Sequence, residues 1–211
     1  MGLSVAAAEF GGSPQDPAPL LGQVAEALRS VEMVEASFIS DQILPPLEKP
    51  LRKEGFIRVA PRRGIYQRLD RPLAQELLIL PGELWERQPP APWRRIQTGG
   101  VAEAHVMTDA LLALLSGDAD RWTDLFLSHQ EGSLEEWRLS FEPRPKHPVA
   151  KHLLRIEMFG RGPLLDSLSL YLKGGSQETM RFSDQKIISE ATAAQWNLFS
   201  SPPDSGPRPT P

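Results

Sequence analysis

The 211-residue sequence has no cysteine, which excludes disulfides, thiolate nucleophiles and zinc–thiolate sites together. It also excludes lipid attachment through an N-terminal cysteine, so the chain as given is not expected to be a lipoprotein itself. Histidine is sparse: His105, His129, His147 and His152 fall in different expected elements, and no two share the four-residue helical spacing of a zinc-binding helix. No Gly-x-Ser-x-Gly elbow, phosphate loop or dinucleotide fingerprint occurs, and Gly160-Arg161-Gly162 is too short a signal to count as one. Carboxylates such as Glu54, Asp70 and Glu157 are scattered, and only pairing in space would make them an acid–base site. A run of eighteen apolar residues, which a membrane-crossing helix needs, is missing too. The net charge of −4 argues against nucleic acid as the principal partner, because a phosphate backbone calls for a basic surface. No metal and no cofactor is expected.

What is present suits one globular domain: 40% hydrophobic and 24% charged residues, on a chain long enough for one substantial core. The two ends are rich in Pro, Gly and Ser and cannot bury enough surface to offset ordering entropy. Residues 1–18 read as a leader, in which Gly2-Leu3-Ser4-Val5-Ala6-Ala7-Ala8 resembles the tail of a secretory segment meeting a small-residue cleavage site before Glu9. Residues 200–211 read as a Pro-rich disordered tail, which leaves 19–199 for the fold. Leu20, Leu21, Val24, Ala25 and Leu28 recur at helical spacing after Pro19 and predict a short amphipathic helix. A strand over 34–44 is stopped by Pro45-Pro46, and short strands over 52–60, 64–69, 75–80, 83–87 and 93–97 follow, punctuated by Pro or Gly. Their brief connections predict an antiparallel meander. Parity puts Gly55, Ile57 and Val59 on one face with Arg58 on the other, and leaves Lys53 and Phe56 unassigned. Ile57 and Val59 are expected to face inward.

One helix over 101–116 is unusually apolar. Gly100 and Glu103 open it, Gly117 suits its C-terminal cap, and Asp118 caps a second short helix through Trp122. Val101, Ala104, Met107, Ala110, Leu111, Leu112, Leu114 and Leu115 cover well over half its circumference, more than one buried face requires. It is either a plug in the sheet or a lid over a cavity. Strands return over 126–130, 136–142, 153–159, 165–173 and 177–183, where Trp137, Leu139 and Phe141, then Leu154, Ile156 and Met158, alternate with polar neighbours. The expected fold is mainly β with helices (α+β): an unclosed antiparallel half-barrel of about ten or eleven strands covered by α-helices.

This order of elements resembles the periplasmic outer-membrane lipoprotein carrier family, LolA-type. The carriers of the resemblance are the Phe38/Gln42 strand, the Gly55 strand, the Pro61 turn, Pro72, the Leu77-Leu78-Ile79-Leu80 strand and the leucine-rich helix with its short successor. Leu111-Leu112-Ala113-Leu114-Leu115-Ser116-Gly117-Asp118, followed by Trp122, Phe126, Trp137, Leu139 and Pro143, resembles a divergent LolA-related branch. The likeness spans roughly residues 20–199 and rests on many weak signals in order. It implies a half-barrel that shelters the acyl chains of a lipidated cargo. It also implies an arginine latch on the strand between the two prolines, where this sequence has Tyr66, with Arg68 two residues on.

On this reading the chain is a periplasmic carrier, its N-terminal signal removed or truncated, that moves an acylated lipoprotein or lipid from the inner towards the outer membrane. By resemblance its partners are an inner-membrane donor complex and an outer-membrane acceptor; it is expected to be a non-catalytic monomer, peripheral to membranes. The expected lipid-binding residues are Phe38, Ile57, Val59, Tyr66, Leu78, Leu111, Leu114, Leu115, Trp137, Leu139, Ile156 and Met158. Arg62, Arg63 and Arg68 are the expected docking rim, while the clusters Arg52-Lys53, Arg62-Arg63 and Arg94-Arg95 also suit solvated strand ends. The alternative is an enzyme on the same scaffold acting on a hydrophobic substrate.

Overall fold

A computed structural model describes residues 19–96 and 102–202. The expected leader, the strand end at Gln97, the helix start at Gly100 and Val101, residues 203–211 of the expected tail, and the side chains of residues 102–106 lie outside what is described. Proline supplies no amide hydrogen and suits the first turn of a helix, and α1 (Pro19–Ser30) starts on one. Its Leu21, Val24, Ala25 and Leu28 form a single buried stripe.

Strands β1 (Met33–Ile43), β2 (Leu51–Ala60), β3 (Gly64–Arg71), β4 (Gln75–Leu80), β5 (Glu83–Arg87) and β6 (Arg94–Arg95) run as one antiparallel meander. Helices α2 (Ala102–Leu115) and α3 (Ala119–Leu125) follow. A second meander is formed by β7 (Phe126–Ser133), β8 (Glu136–Pro143), β9 (Leu153–Arg161), β10 (Leu164–Leu172) and β11 (Gln177–Ile188), and α4 (Ala193–Asn197) ends the ordered elements. The first strand pairs with the last, Phe38 opposite Phe182, and so joins the meanders into one eleven-stranded sheet. That sheet is open, with β6 at one edge and β7 at the other. The architecture is an unclosed antiparallel half-barrel with helices.

Side-chain alternation divides the core in two. The inner face carries one large cluster in which α1, α2 and α3 pack on Ala36, Phe38, Ile57, Ile65, Ile79 and the β8–β10 residues. Met33, Ala60, Tyr66, Leu78, Leu80, Trp85 and Phe199 form a second cluster on the opposite parity, against Trp93 and Trp196. The apolar helix α2 is enclosed on several sides, touching the sheet, α3 and a short 3-10 turn, Pro148–Lys151. This accounts for its wide apolar arc: Ala110, Leu112, Ala113, Leu114 and Leu115 are all buried. Its end is fixed by Gly117 at φ +67°, where a Cβ would fall 2.2 Å from the Ala25 carbonyl oxygen of α1. Asp118 then caps α3, its carboxylate accepting from the Arg121 amide at 3.2 Å.

Several expectations need revision. The strand expected over 93–97 is only Arg94–Arg95 among the described residues, and the one expected over 177–183 continues to Ile188. The second helix runs past Trp122 to Leu125. α4 is an addition, set by a capping box in which Thr192 and Gln195 bond each other's backbone amides. Ser201, placed in the expected tail, donates its hydroxyl hydrogen to Glu83 at 2.7 Å.

Candidate functional site

The inner face is filled at one end and hollow at the other. Over β7, β8 and β9 large side chains fill the space: Trp122 of α3 and Phe126 of β7 both meet Phe141 edge-on, at centroid distances of 5.3 and 5.6 Å. Trp137, Leu139, Ile156 and Met158 are fully buried there and line neither of the two inner-face cavities that follow. The hollow lies towards the other meander. A part-open cavity of about 270 Å³ is bounded by β2, β3, β4, α2, β10 and β11, just below the roughly 300–1,000 Å³ usual for ligand pockets. Leu69, Leu77, Ile79, Leu111, Leu170 and Met180 give it an apolar wall. Lys53, Gln67, Gln75, Thr108 and Glu178 make the remainder polar.

The polar end is organised around one carboxylate. Glu178 Oε1 accepts from the fully buried Ser40 hydroxyl at 2.7 Å and from Lys53 Nζ at 3.0 Å. Lys53 and Glu178 are each about one-fifth exposed, so screening by water is reduced. Lys53 is thus a correction: parity left it unassigned and its neighbour Arg52 suggested a solvated strand end, yet it faces inward with Ile57. A second, smaller cavity of about 50 Å³ is almost wholly apolar, lined by Leu28, Val31, Val34, Ala36, Ile57, Val59, Pro61, Leu115, Pro163, Leu165 and Phe182, with Gln185 the one polar member.

The expected site residues therefore separate into groups. Leu111 lines the larger cavity, while Ile57, Val59 and Leu115 line the smaller. Phe38 and Leu114 are buried in the inner cluster without lining either. Tyr66 and Leu78 belong on the other side of the sheet, in the second cluster. Both have the opposite parity to Gln67, Leu77 and Ile79, which do line the cavity. Tyr66 donates to Glu76 at 3.1 Å, and Arg87 holds the same carboxylate oxygen at 2.7 and 3.0 Å. Burial first, and then the Glu76 charge, push the Tyr66 hydroxyl up to about 12.

Arg68 shares the Tyr66 face, pairing with Asp70 at 2.9 Å and lying over the Phe56 ring. Arg62 and Arg63 lie elsewhere, in the β2–β3 turn. Arg63 stacks its guanidinium on Trp196 at 4.5 Å, and Arg62 has no ion pair among the described residues. The carboxylates Glu54, Asp70 and Glu157 each pair with arginine instead of with one another. No group of three metal-ligating side chains occurs among the described residues, and no described helix is long and apolar enough to cross a membrane.

Fold and site together define a helix-covered open β half-barrel with a partly vacant inner face. No protein-family sequence profile and no curated protein matches the chain. Among solved structures it is similar to a LolA superfamily protein from Nitrosomonas europaea, at 11% identity and TM-score 0.44, covering 86% of this chain and 96% of that one. It is similar to a putative outer membrane lipoprotein-sorting protein domain from Vibrio parahaemolyticus, at 9% identity and TM-score 0.46, over 85% and 97% of the two chains. A DUF1329 family protein from Desulfovibrio piger is similar at 12% identity and TM-score 0.44, over 82% and 93%.

Proposed function

We propose that this protein is a non-catalytic carrier that shelters the hydrocarbon chain of a lipid or lipidated protein on the inner face of its half-barrel. The observation that carries the reading is the 270 Å³ cavity under α2, whose apolar wall comes from four strands and the helix. A buried methylene contributes about 0.8 kcal/mol, so even a few sheltered methylenes give useful affinity with no group reacting. The side chains facing the cavity suit holding, not turnover: its one carboxylate is held in place at Oε1 by Ser40 and Lys53. The lining we assign to the ligand is Leu69, Leu77, Ile79, Leu111, Leu170 and Met180; Ile57, Val59 and Leu115 border the smaller cavity. Tyr66 and Leu78 have no part in it.

The site of action is the periplasm, and the route runs from an inner-membrane donor towards an outer-membrane acceptor, by the sequence resemblance. Arg62 and Arg63 serve as the rim that meets an anionic surface. Native mass spectrometry of protein purified from a bacterial membrane extract tests the central claim. An unmodified, co-purified acyl species supports carriage. Protein that emerges empty and never binds an apolar fluorescent dye would refute it, and chemical conversion of the bound species would mark an enzyme.

A further inference from the structure

The two cavities lie at successive levels of the inner face, with the Phe38–Phe182 row between them. Cross-strand register gives their order. Lys53 on β2 pairs with Ser40 on β1, and Ser40 with Met180 on β11; Lys53 and Met180 border the larger cavity. One row further, Gly55 pairs with Phe38 and Phe38 with Phe182. Beyond it Ile57 pairs with Ala36 and Val59 with Val34, and all four border the smaller cavity. The same change of sides recurs on the other walls. Leu170 of β10 borders the larger cavity and Leu165 the smaller; on α2, Leu111 borders the larger and Leu115, one turn on, the smaller.

Phe38 is only 2% exposed, borders neither space, and fills the row between the residues that do. Its ring lies against β2 where that strand has no side chain: a Cβ on Gly55 would stand 2.9 Å from ring atoms Cε1 and Cζ. An aromatic ring held over a glycine is fixed from below by backbone, and only a smaller side chain would open the way past it.

We propose that Phe38 is the stop that sets how long a hydrocarbon chain the protein accepts. The chain enters with its polar end at the Lys53–Glu178 pair and its methyl end directed at Phe38, and the smaller cavity is the unused continuation of the same channel. The polar end suits a neutral head that both donates and accepts hydrogen bonds, because the Lys53 and Glu178 charges cancel while, among the described residues, Glu178 accepts through Oε1 alone. This assignment rests on the carrier reading and specifies its ligand as a single-chain amphiphile of bounded length.

The test is displacement of an apolar fluorescent dye from the full-length chain by saturated 1-monoacylglycerols of increasing length. Affinity is expected to rise about fourfold per added methylene up to a limit and then to level off. Phe38→Ala and Phe38→Leu are each expected to move that limit to longer chains. Ala36→Leu, which fills the smaller cavity, is expected to leave the wild-type limit unchanged and to cancel the gain in the Phe38→Leu background. Should Phe38→Ala fail to give a cooperative melt, Phe38→Leu with and without Ala36→Leu decides the matter alone. An unchanged limit in folded Phe38→Leu overturns the stop while leaving the carrier intact. A wild-type protein that binds none of the series overturns both.

Discussion

Trp137 rests against Gly160, its antiparallel partner across β8 and β9, so closely that a Cβ on Gly160 would fall 2.3 Å from the indole Cζ2. The same Cβ would stand 2.3 Å from the Leu164 carbonyl oxygen, so no rotation of the indole alone relieves the clash. The indole is pinned at its far end as well, donating its N–H to the Gly162 carbonyl at 3.0 Å. Gly160→Ala is therefore expected to destabilise the fold by about 2 kcal/mol, through overpacking. Trp137→Phe keeps the ring and loses the hydrogen bond, for about 1 kcal/mol. Urea denaturation measures both, and a Gly160→Ala protein as stable as wild type would show that the indole and the Leu164 backbone both give way freely.

This pair repeats in the second meander what Phe38 and Gly55 do in the first, an aromatic ring covering a glycine across one strand boundary. The sequence made the elements legible because Pro and Gly punctuate short strands and because alternation is unambiguous at Trp137-Leu139-Phe141. The residues facing the cavity were less legible on β3 and β4. Leu77, Leu78, Ile79 and Leu80 are all apolar, since this part of the sheet is buried on both faces, and parity then has no polar marker to anchor it. Tyr66 and Leu78 stand one residue from Gln67 and Leu77, and a shift of one residue exchanges the faces. Lys53 and Glu178 were hidden for another reason: nothing local to either residue marks a partner 125 positions away.

The Lys53–Glu178 pair can be weighed by a double-mutant cycle. Each side chain is about one-fifth exposed, so removing one partner leaves a poorly solvated charge at the cavity wall. Glu178→Gln and Lys53→Met are each expected to cost about 1 kcal/mol, with the double substitution costing less than their sum. Additivity in urea denaturation would mean that the two charges do not interact across the cavity wall.

Alkaline pH offers a probe of the opposite face. The Tyr66 hydroxyl is held up to about 12, by burial and then by Glu76, against about 10 in the unfolded chain; Arg68 and Arg87 oppose the shift. The folded state retains the proton where the unfolded state releases it, so the associated stability is complete below about pH 10 and is lost as pH rises towards 12. Tyr66→Phe is expected to lower stability at neutral pH by about 1 kcal/mol and to flatten the alkaline decline in melting temperature. Lipid uptake should be unchanged, because Tyr66 sits in the cluster away from the cavity. Loss of dye binding in Tyr66→Phe would show that the two faces are coupled.

The β2–β3 turn separates docking from holding. Arg62 has no ion pair among the described residues, while Arg63 is committed to the Trp196 ring at 4.5 Å, so Arg62 is the cleaner substitution. Exposed charges act over about one Debye length and are screened by salt, so a docking role shows as salt-dependent binding to an anionic surface. Co-sedimentation with phosphatidylglycerol vesicles is expected to fall several-fold in Arg62→Glu and further in Arg62→Glu/Arg63→Glu, with phosphatidylcholine vesicles as the uncharged control. Arg62 lies at the turn beyond the smaller cavity and borders neither apolar chamber, so dye uptake by Arg62→Glu should match wild type. A collapse of uptake in that variant would place the turn inside the binding path, and undiminished vesicle binding in both variants would remove it from the docking surface.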